Sequence, residues 1–176
     1  IMGEGTPTRG VTIKLLDREG NAVAAGAEGE IVATGFQAMR GYTDPSLDAD
    51  AFTADGYFRT GDVGRFLADG TIVITGRIKD IIIRKGENVS AKEVEDCLYT
   101  HPDIADVAVF GIPDEDRGEM VVAAIQLKEG AAEPTVADIF QHCKGAGLMA
   151  QKAPERLMIL DVMPRNPSGK VPKHEL

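Results

Sequence analysis

The chain has 176 residues, with 28 acidic and 19 basic side chains and a formal net charge of -9. That length suits one domain, or one domain plus part of a second, and 43% hydrophobic residues are enough to bury a core, which excludes wholesale disorder. The acidity argues against a general nucleic-acid binder, which would show a basic face, and no apolar run approaches the ~20 residues of a membrane-spanning helix.

Ile1-Met2-Gly3 opens the chain with no initiator Met before it and no charged-then-apolar leader, and Lys173-His174-Glu175-Leu176 stops mid-pattern. The expectation is a piece of a longer protein. The two cysteines, Cys97 and Cys143, and the three histidines show no paired metal-ligand spacing. Both cysteines fall in amphipathic stretches and read as buried structural thiols, and so few cysteines suit a reducing, cytoplasmic location. His142 and Cys143 are adjacent, so they point to different helix faces and do not form a Cys–His pair.

In chain order, Val11–Leu16 alternates as a strand, followed by a Glu19-Gly20-Asn21 turn, and Glu30–Thr34 is a second strand. Gly41 to Gly56 is loop-like. Val63–Leu67 and Thr71–Thr75 flank Asp69-Gly70, which predicts a hairpin with a type I′ turn. From about residue 77 strands and helices alternate. Ile81–Ile83 is a short strand, and Ser90 with Glu93 predicts a capping box before a helix that buries Ala91, Val94 and Leu98. Val107–Phe110 and Met120–Leu127 are strands separated by a charged loop at 113–119. Pro134-Thr135 opens a second helix whose buried face is Val136, Ile139, Phe140 and Cys143, stopped by Gly145 and Gly147. Leu157–Leu160 is a last strand, and Asn166-Pro167-Ser168-Gly169 is a flexible turn presenting Lys170. The fold class is α+β. A β-rich part, 1–76, precedes a small mixed α/β domain, 77–176, which is a few-stranded sheet with packed helices.

Three segments hold polar residues among glycines more densely than turns require: Thr60-Gly61-Asp62; Gly76-Arg77-Ile78-Lys79-Asp80 with Lys85-Gly86-Glu87 and the Glu93/Glu95 pair; and Asn166-Pro167-Ser168-Gly169-Lys170. Gly29-Glu30-Ile31-Val32 and Met39-Arg40-Gly41-Tyr42 precede them. Together, in this order, these pieces resemble the C-terminal third of adenylate-forming enzymes: the acyl-CoA synthetases, peptide-synthetase adenylation domains and beetle luciferases. The resemblance runs from about Gly10 to Leu176. The stretches Gly76–Ile83 and Asn88–Ala91 look most like fatty-acyl and aryl-acyl CoA ligases, while Gln151-Lys152 departs from the tyrosine and basic residue many relatives carry before the proline matched by Pro154.

The resemblance implies an enzyme that joins a small-molecule carboxylic acid to ATP, with Mg2+, and then passes the acyl group to CoA. It implies that Asp62 binds the ribose hydroxyls of ATP, since a carboxylate offers two acceptor oxygens to two vicinal donors. It likewise implies that Arg77 contacts the nucleotide nearby. Lys79 and Asp80 match a hinge, and Lys85, Gly86 and Glu87 match the loop used in the thioester step. Lys170 matches the catalytic lysine that stabilises charge at the α-phosphate. Arg117 and Lys144 are weaker candidates for the CoA phosphates.

The family's phosphate-binding loop has no counterpart here. Residues 1–76 therefore read as the end of a large AMP-binding domain and 77–176 as its mobile C-terminal partner. The piece alone is expected to be inactive, to depend on the N-terminal domain it lacks, and to be capable of homodimerising through its orphaned β-rich half. The alternative is a stand-alone, non-catalytic binding or regulatory module of the same fold.

Overall fold

The computed structural model describes residues 3–176; the reading of Ile1 and Met2 lies outside them. Alternating apolar residues and glycine-bearing turns make a four-stranded antiparallel meander of β1 (Val11–Leu16), β2 (Gly29–Gly35), β3 (Phe58–Phe66) and β4 (Ile72–Arg77). Leu15, Ile31 and Ile72 form its small core, with Ile13, Val23, Phe66 and Ile74 against them. A one-turn helix, α1 (Asp48–Ala51), lies between β2 and β3.

The Asp69-Gly70 hairpin forms, but without the expected type I′ turn. Gly70 alone of the two has positive φ, at 83°. Leu67 N–H donates to Thr71 O, Gly70 N–H donates to Leu67 O, and the Asp69 carboxylate accepts from Thr71 N–H at 2.9 Å. The aspartate closes a longer loop through its side chain, which leaves its backbone free of the left-handed region.

The chain divides into two compact units between Lys79 and Asp80. β4 continues through Gly76 and Arg77, so both belong to the first unit. The second comprises β5 (Ile81–Arg84), β6 (Glu87–Ser90), α2 (Ala91–Leu98), β7 (Ile104–Asp114), β8 (Gly118–Leu127), α3 (Val136–Gly145) and β9 (Arg156–Leu160). Its five strands run β6-β5-β8-β7, with β9 parallel to β8 and all other pairings antiparallel. The architecture is α+β, as the strand-rich beginning and alternating remainder predict.

Both faces of the second sheet are covered, which is why Val121 to Ile125 are all buried. Val107, Val109, Val121, Ala123 and Ile125 face α2 and α3 in a core with Val94, Leu98 and Ile139. The opposite-facing Ala108 and Ala124 lie under Met163, Val171 and Leu176, so the C-terminal segment covers the second face. Two expectations fail here. The charged loop at 113–119 shrinks to the turn between Asp114 and Gly118, because the long β7–β8 pairing absorbs its ends. Val136 is exposed, since it sits at the first position of α3, before the helix reaches the core.

The helix starts follow their side chains. Thr135 and Asp138 form the reciprocal capping box of α3. At α2, Ser90 Oγ accepts from Glu93 N–H at 3.4 Å, while the Glu93 carboxylate pairs with Lys152 at 2.7 and 2.9 Å. Lys152 thereby ties the 3-10 turn Ala150–Lys152 to the start of α2.

Both cysteines are free thiols. Burial, then the neighbouring Cys97, pushes the Cys143 thiol up to about 12, so it is inert as a nucleophile. His142 Nε2 lies 3.0 Å from Thr100 Oγ1 and 3.2 Å from Cys97 O, joining α3 to the end of α2 rather than pairing with Cys143. Its ring meets His101 edge-on at 4.8 Å. Burial first, then His142, lowers the His101 imidazole from its ordinary 6.5; Lys128 acts the same way, and Asp103 and Asp138 oppose. A depressed folded-state pKa favours the neutral ring in the fold. Its stabilisation is full above about pH 6.5 and is lost as pH falls through the folded value. Thermal melts at pH 7.5 and 5.5 are expected to show a lower melting temperature at 5.5, and His101→Gln is expected to reduce that difference. An equal difference in the variant contradicts this assignment.

Candidate functional site

The Thr60-Gly61-Asp62 segment is a strand bulge. Arg59 pairs with Val32 and Val63 with Glu30, so these three residues stand opposite Ile31 alone. Gly61 has φ 71° with open space around its Cβ position, so glycine is required there by conformation and not by crowding. Thr60 Oγ1 donates to Ile31 O at 2.8 Å and accepts from Asp62 N–H at 3.0 Å, which fixes the bulge. The bulge sets Asp62 directly across from Arg77 on β4. Arg77 Nε lies 2.7 Å from Asp62 Oδ1, yet its N–H is not aimed at that oxygen, so the contact is an ion pair without an aligned hydrogen bond. The two expected nucleotide contacts are thus adjacent side chains on one edge of the first sheet.

Lys79 and Asp80 lie on the 3-10 turn Ile78–Asp80, where the two units divide, with Lys79 exposed. Lys85 and Gly86 are the two-residue turn of the β5–β6 hairpin, with φ 50° and 79°. Positive φ at both positions makes this a type I′ turn, the turn expected instead at Asp69-Gly70. A lysine in the left-handed region costs roughly 1–2 kcal/mol, and such strain clusters where conformation serves function.

That turn is clamped from below. Lys85 N–H donates to Arg117 O at 2.7 Å. Arg84 donates twice to Glu155, at 2.8 and 2.9 Å, and Arg117 adds an ion pair to Glu155 at 3.0 Å and to Asp114 at 3.1 Å. Arg84, followed by burial in opposition, determines the state of Glu155, whose carboxyl stays below its ordinary range. Arg117 is therefore committed to two carboxylates within its own unit, which disfavours the weaker expectation that it meets CoA phosphates. Lys144 is exposed near the end of α3.

Lys170 is exposed and, among the described residues, pairs with no carboxylate. The turn before it is not the flexible one expected. Asn166 Oδ1 accepts from Ser168 N–H, Ser168 Oγ and Lys170 N–H at 3.1, 2.7 and 2.9 Å, and Asn166 N–H donates to Lys170 O at 2.9 Å. An asparagine that mimics backbone in this way orders a turn that composition alone reads as loose.

Within the second unit the Lys85 and Lys170 turns are kept apart. One is tied to the Asp114 end of β7, and the other is tied near Asp106 at its beginning. Eight residue steps of strand separate those anchors by about 27 Å. The charged partners Arg84, Glu155, Asp106 and Arg165 escaped sequence reasoning, because pairs such as Arg84 and Glu155 stand 71 positions apart. No group of three or more His, Cys, Asp or Glu residues that could hold a metal occurs among the described residues. No helix among them is long and apolar enough to cross a membrane.

Residues 93–170 match the AMP-binding enzyme C-terminal domain. The chain is 43% identical to triostin synthetase I of Streptomyces triostinicus, over 100% of this chain and 34% of that protein. It is 38% identical to the sulfoacetate–CoA ligase of Cupriavidus necator, over 98% of this chain and 33% of that protein. The ATP-bound MatB structure from Rhodopseudomonas palustris superposes with a TM-score of 0.90 at 32% identity, covering 98% of this chain and 34% of that one. The chain thus spans about a third of the length of these relatives. The domain match, the whole-chain similarity and the structural superposition agree: the chain belongs to the adenylate-forming, AMP-binding enzyme superfamily and carries its C-terminal domain.

Proposed function

We propose that this chain is the C-terminal part of an ATP-dependent acyl-CoA synthetase. Its first unit closes the large AMP-binding domain, and its second is the mobile partner. The observation that carries the reading is Lys170: an exposed ammonium that pairs with no carboxylate among the described residues, on an ordered turn whose Asn-Pro-Ser-Gly-Lys motif resembles the superfamily's lysine segment. In the first step a carboxylate oxygen attacks the α-phosphorus of ATP, forming the acyl–O–P bond and releasing pyrophosphate. Lys170 offsets the repulsion between two anions and stabilises charge on the phosphoryl oxygens. Asp62 and Arg77 hold the nucleotide: the carboxylate exchanges its ion pair for the ribose hydroxyls, and Arg77 remains as the adjacent cation.

In the second step the CoA thiol attacks the acyl carbon, AMP leaves, and the thioester forms. Lys85, Gly86 and Glu87 form the loop for this step. The turn at Lys79-Asp80 is the hinge that exchanges the two turns at the site. Mg2+ enters with ATP as its counter-cation, and no residue here is assigned to it. The sulfoacetate–CoA ligase relative supports transfer to CoA. The test is to screen carboxylic acids with the full-length protein for thioester formation that requires both ATP and CoA. Products that form without CoA consumption, or with no acid in a broad panel, contradict the reading.

A further inference from the structure

Met163 and Val171, the two feet of the Lys170 turn, both lie in the apolar cluster with Ala108 and Ala124 on the second face of the sheet. Met163 N–H also donates to Gln126 Oε1 at 2.8 Å. Beyond the turn, Lys173 pairs with Glu95 at 2.7 Å, and the same Glu95 oxygen accepts from Val109 N–H at 2.8 Å. The feet are therefore anchored. Between them, the bonds made by Asn166 set the shape of the turn, but they are internal to it and do not set its direction relative to the sheet.

Arg165 supplies that direction. Its Nη1 donates to Gly169 O at 2.7 Å, the carbonyl of the peptide that leads into Lys170, and its Nη2 donates to the Asp106 carboxylate on β7. The other Asp106 oxygen accepts from Tyr99 OH at 2.7 Å and from Val107 N–H at 2.9 Å, so the carboxylate is aimed from the end of α2 and from β7. Burial pushes Asp106 up, but Tyr99 and Arg165 outweigh it and hold the carboxyl below its ordinary range. The planar fork of arginine serves two acceptors in fixed directions, which the point charge of lysine does not. Arg165 is 48% exposed, so its arm of the pair adds little stability, while Asp106, 15% exposed, keeps its Tyr99 and Val107 bonds without it. Geometry, rather than stability, is the reason for it.

We propose that Arg165, oriented by Asp106 and Tyr99, is a positioning residue that aims the Lys170 turn for adenylate formation. The proposal rests on the reading of Lys170 given above. A misplacement of about 1 Å at a reacting group costs roughly 10²-fold in rate.

The test uses the full-length protein with Arg165→Lys, Asp106→Asn and Lys170→Ala measured in parallel, each half-reaction being followed in single turnovers. Arg165→Lys and Asp106→Asn are expected to slow acyl-adenylate formation by about 10- to 100-fold at saturating ATP, with melting temperatures within about 2 °C of the parent. Thioester formation from supplied acyl-adenylate is expected to proceed at the parental rate. Faster hydrogen exchange at the Gly169 and Lys170 amides is the accompanying sign of a released turn. If Lys170→Ala abolishes adenylation while both tether variants adenylate at the parental rate, the tether is overturned and the reading of Lys170 stands. Equal loss of both half-reactions in the tether variants also overturns it, because that is general damage to the unit. If Lys170→Ala itself adenylates normally, the reading of Lys170 falls and takes the proposal with it.

Discussion

Lys170→Ala in the full-length protein is expected to slow acyl-adenylate formation by on the order of 10²–10³-fold, while thioester formation from supplied acyl-adenylate continues. The magnitude follows from the job. A carboxylate must approach a polyanionic phosphate, and removing a preorganised cation withdraws stabilisation where charge develops. The selectivity follows from the fold. The Lys170 turn is tied near the start of β7, and the Lys85 turn is tied at its end, so the loss of one ammonium leaves the other turn intact. Acetylating Lys170 removes the same charge and is expected to act in the same direction. Separate single-turnover measurements of the two half-reactions check this, and equal loss of both refutes it.

Leu98→Ala is expected to destabilise the second unit by about 2–5 kcal/mol. Leu98 is fully buried between α2 and the sheet, in the core that also holds Val94, Val109 and Ile139. Removing its branched end leaves a cavity that rigid neighbours from both helices and the sheet close only in part. The first unit has its own core around Leu15, Ile31 and Ile72, so it does not share the loss. Chemical denaturation followed by hydrogen exchange is expected to show early opening of α2 and β7 with β1 to β3 unchanged. A uniform loss across both units contradicts their separate cores.

The apolar periodicities were legible. β1 and β2 emerge within a residue of their expected bounds, and the buried face Ala91, Val94 and Leu98 is as the helical spacing predicts. The start of α3 at Thr135 was legible as well, and its capping box with Asp138 closes within one turn of sequence. Features that depend on distant partners were not. β6 escaped because Val89 is its only buried residue and an edge strand needs little apolar signal. The type I′ turn was expected at Asp69-Gly70, where an aspartate can instead bond its neighbour's backbone. It occurs at Lys85-Gly86, whose lysine carries no turn signal and is held by Arg117 O.

The candidate site divides in the same way. Asp62, Arg77, Lys79, Asp80, Lys85, Gly86, Glu87 and Lys170 came from motif order, whereas their surroundings came only from the fold. The bulge at Gly61, the Glu155 clamp and the Arg165 tether each join residues separated by long stretches of chain. Motif reading names the side chains that meet a ligand, and it is silent on what aims them. The asparagine at 166 illustrates the cost: beside proline, serine and glycine it read as a flexible turn, yet its side chain accepts three hydrogen bonds and orders that turn.

The central claim is that the acid is activated as an acyl-adenylate, and oxygen transfer tests it most directly. The full-length protein is supplied with a productive acid labelled with 18O in its carboxylate, together with ATP and CoA. One labelled oxygen attacks the α-phosphorus, becomes the bridge of the adenylate, and leaves with AMP when the thiol sulfur attacks the acyl carbon. Mass spectrometry is therefore expected to find a single 18O in the AMP and none in pyrophosphate. Unlabelled AMP, or label recovered in inorganic phosphate alongside ADP, would contradict the account.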